Sequence, residues 1–245
     1  MTMRDVVVIG AGPAGVFAAL ELSKRDNLDI AILDKGPDIE RRHCPAREPG
    51  GRCRHCDPCA ILTGWGGAGA FSDGKLTLSP SVGGRLTEIL GAERSRELIT
   101  RVDQAYVRFG AQGPVHGIRN DAIDALEKRA ALAGLRFVSV PIRHMGTERC
   151  AEIMGAMHDE LVGRGVEVRT RTPVARILTD DGRVVGVETE DGERIEAETV
   201  IVAPGREGAA WLKAMAGDLG LTLDRNPVDL GVRVEVPPVV LEPIT

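Results

Sequence analysis

The sequence has 245 residues, of which 43% are hydrophobic and 3% aromatic, and its formal net charge is -5 at pH 7. That length allows a globular core in one large or two small domains, and an acidic balance without a basic cluster argues against nucleic acid as a partner. No apolar stretch approaches the roughly 20 residues that cross a bilayer, and no signal peptide precedes the first predicted strand, so we expect no membrane and a cytoplasmic location.

The first forty residues predict a strand, a glycine-rich turn, a helix and a second strand. Residues 6–9 read VVVI, a β-branched run typical of a strand that is buried on both faces of a parallel sheet. Residues 10–15 read GAGPAG, residues 16–24 have a helical pattern, and the apolar run Ile30–Leu33 ends in Asp34. This order predicts a β-α-β unit that binds a dinucleotide.

Each glycine of the turn has an expected role. Gly10 permits the tight turn, Gly12 lets a pyrophosphate approach the backbone, and Gly15 lets the helix pack close to the strand. The N-terminus of the following helix favours phosphate groups. Asp34 is expected to hold a ribose hydroxyl, and an acid there favours FAD or an NAD-type adenosine over NADP.

Four of the five cysteines lie within sixteen residues, at Cys44, Cys53, Cys56 and Cys59. The surrounding stretch is too rich in Pro, Gly and Arg for a helix or strand, so we predict a loop. Two successive C-x-x-C steps can bring three thiolates to one centre, with Cys44 as a fourth, which would suit zinc or an iron–sulfur cluster. The alternative is a set of free thiols in a loop that faces the substrate.

A second glycine-rich segment, residues 64–76, reads GWGGAGAFSDGKL. Glycines interleaved with bulky residues indicate a backbone that turns sharply or lies against a ligand. We expect this segment to wrap on the cofactor, with Ser72, Asp73 and Lys75 as the polar groups able to reach it.

Helical periodicity follows over residues 86–111, and Asn120 or Asp121 is expected to cap a second helix that stops at Gly134. Residues 137–142 predict a strand. His144 then precedes a third predicted helix, which Thr147 would cap; His144 is either a catalytic or cofactor-side group or a structural one. The residues expected on the inner faces are Leu98, Val102, Ala105, Phe109, Ile123, Leu126, Ala130, Ile153, Met157 and Leu161.

The last third is predicted to be rich in strands. Residues 166–168 form a strand, a hairpin turns at residues 180–183, and residues 199–203 predict a fully buried strand that ends at Pro204-Gly205-Arg206. Such a three-stranded meander, which returns the chain to the parallel sheet, is the organisation of FAD-binding Rossmann domains. Gly205 would let the backbone pass close to the nucleotide. A helix over 211–219 and a strand over 230–236 complete the chain.

With these segments located, the chain resembles the N-terminal half of an FAD-dependent dehydrogenase, or NAD(P)/FAD-dependent oxidoreductase, family. The resemblance rests on the motifs at residues 10–15, 44–59, 64–76, 143–147, 200–208 and 229–237, of which the 64–76 segment is the most specific.

The resemblance implies an α/β, FAD-binding Rossmann-type parallel sheet with a β-meander, and FAD bound in an extended form. The adenosine would lie at residues 10–34, the backbone of Val174 would contact the adenine, and the isoalloxazine would approach residues 64–76. The residues expected to bind the cofactor are Gly10, Gly12, Pro13, Ala14, Gly15, Asp34, Lys35, Gly67, Ala68, Ser72, Val174, Ala203 and Gly205.

The expected function is an FAD-dependent oxidoreductase that passes a hydride or electrons between a small-molecule substrate and the flavin, with NAD(P)H as a candidate electron donor. Lys75, Asp73 and His144 are the candidate catalytic residues, because a general base or a cation beside the flavin must be polar and close. The alternatives are an iron–sulfur flavoprotein for electron transfer and a non-catalytic nucleotide-binding protein. The pattern fixes neither the substrate nor the oligomeric state.

No Gly-Asp motif of the kind that closes over the pyrophosphate in two-dinucleotide-fold flavoproteins follows Gly208. We therefore expect an incomplete chain. Residues 1–215 would form the FAD/NAD(P)-binding domain, with inserted loops (44–85) and a helical segment (86–145). Residues 216–245 would begin a truncated substrate domain.

Overall fold

The structure is a computed structural model that describes residues 3–146, 148–224, 230–232 and 235–242. In these ranges the strands are β1 (Arg4–Ile9), β2 (Ile30–Leu33), β3 (Lys75–Thr77), β4 (Val115–His116), β5 (Ile142–His144), β6 (Glu167–Arg169), β7 (Val174–Asp180), β8 (Arg183–Thr189) and β9 (Arg194–Val202). The helices are α1 (Pro13–Leu22), α2 (Leu86–Leu90), α3 (Ala92–Arg108), α4 (Asp121–Leu132), α5 (Arg149–Gly163), α6 (Ala209–Asp218) and α7 (Pro238–Leu241). Short 3-10 helices span Ile39–Arg41, Pro45–Arg47 and Gly67–Phe71.

The main sheet has six strands in the order β6-β2-β1-β9-β8-β7. The first four are parallel, and β7, β8 and β9 form an antiparallel meander. Val6 on the central strand is paired with Ile30 on one side and with Thr199 on the other. The mixed α/β fold with a mostly parallel sheet and a meander is therefore confirmed.

Both faces of the sheet are covered, and alternate residues of β1 belong to opposite cores. Val6 and Val8 pack with α1 and α5. The predicted inner residues of α5, which are Ile153, Met157 and Leu161, are all buried. Val7 and Ile9 pack on the other side with residues of the meander. This burial on two faces explains why residues 6–9 are continuously apolar rather than alternating.

A second sheet of three short strands, in the order β3-β5-β4, lies in the segment between α1 and α5. Arg143 of β5 donates through Nε and Nη2 to the carboxylate of Asp103 on α3 at 2.6 and 2.8 Å, and through Nη1 to the Gly113 carbonyl. These contacts join the small sheet to the longest helix of the described chain.

The predicted strand over residues 137–142 is wrong for all but its last residue, because β5 begins at Ile142. Pro141 lacks the N–H that a ladder needs. The Pro141 carbonyl accepts from the Leu78 amide, and the Ser139 hydroxyl donates to the Gly117 carbonyl.

Asn120 caps α4 as predicted, by accepting from the Ile123 amide at 3.0 Å. The inward position of Leu126 on that helix is also wrong, since its side chain is 43% exposed.

The strand ending in the Pro204-Gly205-Arg206 segment exists but is not fully buried. Residues 199–202 of β9 pair with β1, whereas β8 pairs only with residues 194–196, so Val202 lies at an open edge and is 36% exposed.

The strand predicted over residues 230–236 is wrong where the structure describes it, because residues 230–232 and 235–236 are not in a strand. Residues 233–234 and the predicted cap Thr147 lie outside the described residues.

Within the described ranges, none of the helices has the length and apolarity that a membrane crossing requires.

Candidate functional site

A cavity of about 350 Å³ opens at the carboxyl ends of β1, β2 and β9. Ligands of doubly wound sheets bind at this edge, where the strand order changes direction. Its walls also include the segment before β7 and the loop from β9 to α6. The lining residues are Ile9, Gly10, Gly12, Pro13, Leu33, Asp34, Lys35, Leu62, Thr63, Gly67, Ala68, Thr172, Pro173, Val174, Glu190, Ala203, Pro204, Gly205, Arg206, Glu207, Gly208 and Trp211.

Two glycines of the first turn are required by the fold itself. Gly10 has φ +101°, and a Cβ on it would overlap the carbonyl oxygen of Ala203 at the end of β9. A Cβ on Gly15 would overlap the Gly10 carbonyl and lie 3.1 Å from the Val8 side chain. Both positions are therefore closed to larger residues before any ligand is considered.

Gly12 differs from these two because the fold places no demand on it. Its backbone is extended, with φ -74° and ψ 177°, which any residue adopts. The nearest atom to a Cβ built there is the Gly67 Cα, at 3.9 Å, an ordinary contact. Since Gly12 lines the cavity, its missing side chain leaves space at the N-terminus of α1.

The second glycine-rich segment lies directly over the first. The Gly66 amide donates to the Ala11 carbonyl at 2.7 Å. A Cβ on Gly67, whose φ is +51°, would come within 2.8 Å of the Gly12 Cα. The two segments, far apart in the chain, thus form opposite walls of one narrow space.

The Asp34 carboxylate joins three backbone segments. Its Oδ2 accepts from the Ala11 amide, and its Oδ1 accepts from the amides of Gly36 and Gly64, each at 2.8 Å. These bonds link the first glycine turn, the end of β2 and the second glycine segment.

Arg42 lies buried behind this junction, with 7% of its surface exposed. Its guanidinium donates to the carbonyls of Ala60, Ile61 and Trp65 at 2.6 to 2.9 Å and lies 4.5 Å from the centre of the Phe71 ring. Burial lowers the pKa of Arg42 to about 10, against the opposing attraction of the Asp34 charge. Arg42 therefore fixes the segment that carries Leu62 and Thr63 into the cavity wall.

The far wall carries charged groups. Lys35 Nζ lies 3.7 Å from a carboxylate oxygen of Glu207, and both residues line the cavity. The Trp211 ring nitrogen donates to the Ala175 carbonyl at 3.1 Å, which ties α6 to β7 beside Val174. This end thus combines an apolar surface with the Lys35–Glu207 ion pair.

Ten of the thirteen residues that the sequence assigns to cofactor binding line this cavity. Ala14 and Gly15 lie in α1 and do not. Ser72 lies outside the wall as well, and its hydroxyl donates to the Gly69 carbonyl and accepts from the Gly74 amide. The structure brings the ten together; their contacts with a cofactor stay a prediction.

The three candidate catalytic residues lie together but away from the cavity wall. Lys75 on β3 is directly opposite His144 on β5, and its Nζ is 3.1 Å from the Asp73 carboxylate. The hydrogen bond from Lys75 lowers the pKa of Asp73. All three side chains are exposed, so a catalytic role for them stays a prediction.

The cysteine segment does not form a metal centre in this structure. Among the described residues, no three His, Cys, Asp or Glu side chains are arranged to hold a metal ion. Cys53 and Cys56 are exposed, and Cys44 and Cys59 are half-buried. The fifth cysteine, Cys150, is buried, and burial raises its pKa.

Several wall residues were not predicted from the sequence. Glu207, Glu190 and Thr172 line the cavity, and Arg42 supports it. The only local signal for Glu207 was its position just after the Pro204-Gly205-Arg206 segment. Nothing in the pattern around Arg42 marks it as buried, because its three acceptors are carbonyls further along the chain.

The family described as FAD dependent oxidoreductase matches residues 5–244 of this chain. An uncharacterized protein of Clostridium beijerinckii is 26% identical over 231 residues, which is 94% of this chain and 36% of that protein. A D-amino acid dehydrogenase of Methylobacterium is 36% identical over 132 residues, 53% of this chain and 29% of that protein. The chain thus spans about a third of the length of these relatives.

Two solved structures share the fold at low sequence identity. Glycine oxidase from Geobacillus kaustophilus is 19% identical with a TM-score of 0.52, over 91% of this chain and 60% of that one. The 3-ketosteroid-Δ4-(5α)-dehydrogenase from Rhodococcus jostii RHA1 is 18% identical with a TM-score of 0.51, over 81% and 45%. These likenesses agree with the predicted fold, and the matching family agrees with the resemblance seen in the sequence motifs.

Proposed function

The chain belongs to the family of FAD dependent oxidoreductases, and from this premise we propose that its cavity binds FAD and that the protein oxidises or reduces a small-molecule substrate. The pyrophosphate lies at Gly12 and the N-terminus of α1. The adenosine lies between the end of β2 and Val174, and the flavin ring extends toward Gly67 and Ala68.

The single observation that carries this proposal is the open space at Gly12. The fold needs Gly10 and Gly15 for its own backbone contacts, whereas a Cβ on Gly12 would have the Gly67 Cα, at 3.9 Å, as its nearest contact beyond the adjoining residues. A glycine that serves only the cavity points to a ligand that approaches the backbone there. A pyrophosphate at a helix N-terminus has that shape and charge.

The chain's own contribution is to hold and orient the cofactor. Pro13, the first residue of α1, has no N–H, so the Ala14 and Gly15 amides are the donors of the first turn that lack a partner within the helix and can donate to phosphate oxygens. The backbone of Gly67 lies against one side of the turn, and the Val174 and Trp211 side chains give an apolar surface to the adenine end. When bound, FAD supplies a ring that accepts and releases a hydride or single electrons.

Gly12→Ala tests the proposal. We expect the variant to fold like the wild type, because the new Cβ meets no close atom, but to bind FAD roughly 10- to 100-fold more weakly, as expected from about 1–3 kcal/mol of overpacking. Gly163→Ala is the matched control, since a Cβ there also meets nothing within 4 Å and Gly163 does not line the cavity. The measurement is a titration of apoprotein with FAD, followed by flavin fluorescence.

If a folded Gly12→Ala variant binds FAD with the affinity of the wild type, the pyrophosphate does not lie at Gly12. Absence of any flavin binding by the full-length wild-type protein would remove the proposal itself.

The substrate is proposed only by class, as a small organic molecule with a bond that a flavin oxidises or reduces. Amino acids are the first compounds to test, because the relative that matches about half of this chain is named as a D-amino acid dehydrogenase. NAD(P)H as electron donor, and zinc or iron–sulfur at Cys44, Cys53, Cys56 and Cys59, stay predictions from the sequence. Metal analysis of anaerobically purified protein tests the latter.

A further inference from the structure

We propose that Cys56 and Cys59 form a reversible disulfide by exchange with a small disulfide such as oxidised glutathione, so that the chain carries a redox-active dithiol beside its cavity. The proposal concerns the cysteine segment alone and does not depend on the binding of FAD. It is an alternative to the metal centre that the spacing of the four clustered cysteines predicts.

The cysteine segment is arranged for a pair of thiols rather than for a shared metal ion. Among the described residues, no three His, Cys, Asp or Glu side chains are placed to hold one. Cys56 and Cys59 are separated by Asp57 and Pro58, at which the chain bends. A step of this length, with two residues between the cysteines, is the spacing of redox-active dithiols.

The two thiols differ in exposure, as the two steps of an exchange reaction require. Cys56 is exposed and can meet a disulfide from solution, whereas Cys59 is half-buried. Burial lowers the pKa of Arg42, and the negative charges of Asp34 and of a Cys59 thiolate oppose that effect. The Arg42 guanidinium therefore favours the thiolate form of Cys59, which is the form that attacks a mixed disulfide.

The exchange proceeds in two balanced steps. The Cys56 thiolate attacks one sulfur of oxidised glutathione, forms a mixed disulfide and releases one glutathione thiolate. The Cys59 thiolate then attacks the Cys56 sulfur and releases the second. One small disulfide is thus reduced to two thiols while the cysteine pair is oxidised, and an excess of small thiols reverses both steps.

Cys59 is anchored to the cavity wall, and the residues before it are free to adjust. The Cys59 carbonyl accepts from the amides of Leu62 and Thr63, both at 3.0 Å, and from the Thr63 hydroxyl at 2.9 Å. Leu62 and Thr63 line the cavity. Because residues 50–58 are exposed, Cys56 can approach Cys59 without displacing this wall.

Cys53 offers the competing pairing and a matched control. It is exposed like Cys56 and lies three positions before it. Its Sγ accepts from the His55 amide at 3.5 Å, within its own turn. A bond between Cys53 and Cys56 would leave Cys59 as a free thiol, so the two pairings give different products.

Peptide mapping separates these products. Trypsin cuts after Arg52, Arg54 and Lys75, so Cys53 leaves in a dipeptide and residues 55–75 keep Cys56 and Cys59 together. The reduced full-length protein is treated with oxidised glutathione, its remaining thiols are blocked with iodoacetamide, and the digest is analysed by mass spectrometry. In the wild type and in Cys53→Ser, the peptide of residues 55–75 should lose two hydrogen atoms and take up no blocking group.

Two further variants identify the steps. Cys59→Ser should keep a glutathione adduct on Cys56, close to one per chain, because the thiol that releases it is gone. Cys56→Ser should form an adduct on the peptide of residues 55–75 at least about tenfold more slowly, because the exposed thiol of that peptide is absent.

The wild-type map decides the pairing even where a variant does not fold. A disulfide that joins the dipeptide of Cys53 to the peptide of residues 55–75, or an adduct that persists on Cys56 in the wild type, would overturn the proposal. Near-stoichiometric zinc or iron in anaerobically purified protein, lost in Cys56→Ser or in Cys59→Ser, would overturn it as well, because the thiols would then be metal ligands.

Discussion

Burial changes the ionisation of two side chains near the centre of the molecule. It lowers the pKa of Arg42 to about 10 and raises the pKa of Tyr106 to about 12. Arg42 keeps its charge at neutral pH because three carbonyls and the Phe71 ring surround it. Tyr106 packs against Phe17, with 5.4 Å between the ring centres, and stays neutral. Each residue thus contributes differently to stability at high pH.

The Tyr106 hydroxyl should make the protein sensitive to alkali. Its folded pKa of about 12 exceeds the ordinary value of 10.0, so the unfolded chain loses the proton first. The contribution of the Tyr106 hydroxyl to the free energy of unfolding is fully present below pH 10 and is lost as the pH rises toward 12. The loss between pH 9 and pH 11 is about 1 kcal/mol. Tyr106→Phe should lack this loss in urea unfolding at the two pH values. Above pH 10 the lowered pKa of Arg42 raises the free energy of unfolding with pH, and it does so in the wild type and in Tyr106→Phe alike. The difference between the two proteins therefore reports on Tyr106 alone. If their free energies of unfolding change in parallel with pH, the prediction is wrong.

At the scale of elements, the attachment of α3 to the small sheet depends on a few polar contacts. Arg143 and Asp103 have only 14% and 17% of their side chains exposed, and two hydrogen bonds connect them. On the other side, α3 packs Tyr106, Val102 and Phe109 toward the core. The apolar face fixes where α3 lies, and the ion pair fixes how the small sheet is held against it.

Asp103→Asn should loosen this attachment. The substitution keeps the shape but removes the charge and one acceptor, which leaves the half-buried Arg143 guanidinium without its counter-ion. We expect a loss of about 1–3 kcal/mol in free energy of unfolding and faster amide exchange in β5 and β3. Glu97→Gln on the same helix is the control, because among the described residues Glu97 forms its ion pair with Arg94 and both side chains are exposed. Equal stability of the two variants would show that the small sheet is held by other contacts.

The sequence predicted the elements whose signals are local. The strand–glycine–helix order of residues 6–34 and the hairpin at residues 180–183 each depend on neighbouring residues, and both are confirmed. The strand over 137–142 failed because its apolar pattern is interrupted by Pro141. The bonds of Asp34 could not be predicted, because one of its donors, Gly64, lies thirty residues further along a loop without periodicity.

The whole molecule depends on one strand near the end of the described chain. β9 joins the parallel strands to the meander, since residues 194–196 pair with β8 and residues 197–202 lie along β1, and it leads into Ala203 and Gly205 in the cavity wall. A boundary between residues 215 and 216 stays a prediction.

A chain that ends at residue 190 should therefore lack cooperative unfolding, because β1 loses a parallel partner and one core loses Ile195 and Ala197. A chain that ends at residue 224 retains all strands of both sheets and should unfold cooperatively in urea. Cooperative unfolding of the shorter chain would mean that β2 and the helices suffice to hold β1.

The position of β9 also sets an order of events during synthesis. Arg4 and Ala197 are neighbours in the sheet, so the first strand leaves the ribosome long before its partner exists. Until then the apolar residues of β1 lack half of their neighbours, and pairing over such a distance along the chain is slow. The last wall of the cavity, at Ala203 and Gly205, is completed only after this pairing. Binding of the proposed cofactor would thus have to follow this pairing, and the unpaired apolar strand is prone to aggregation until then.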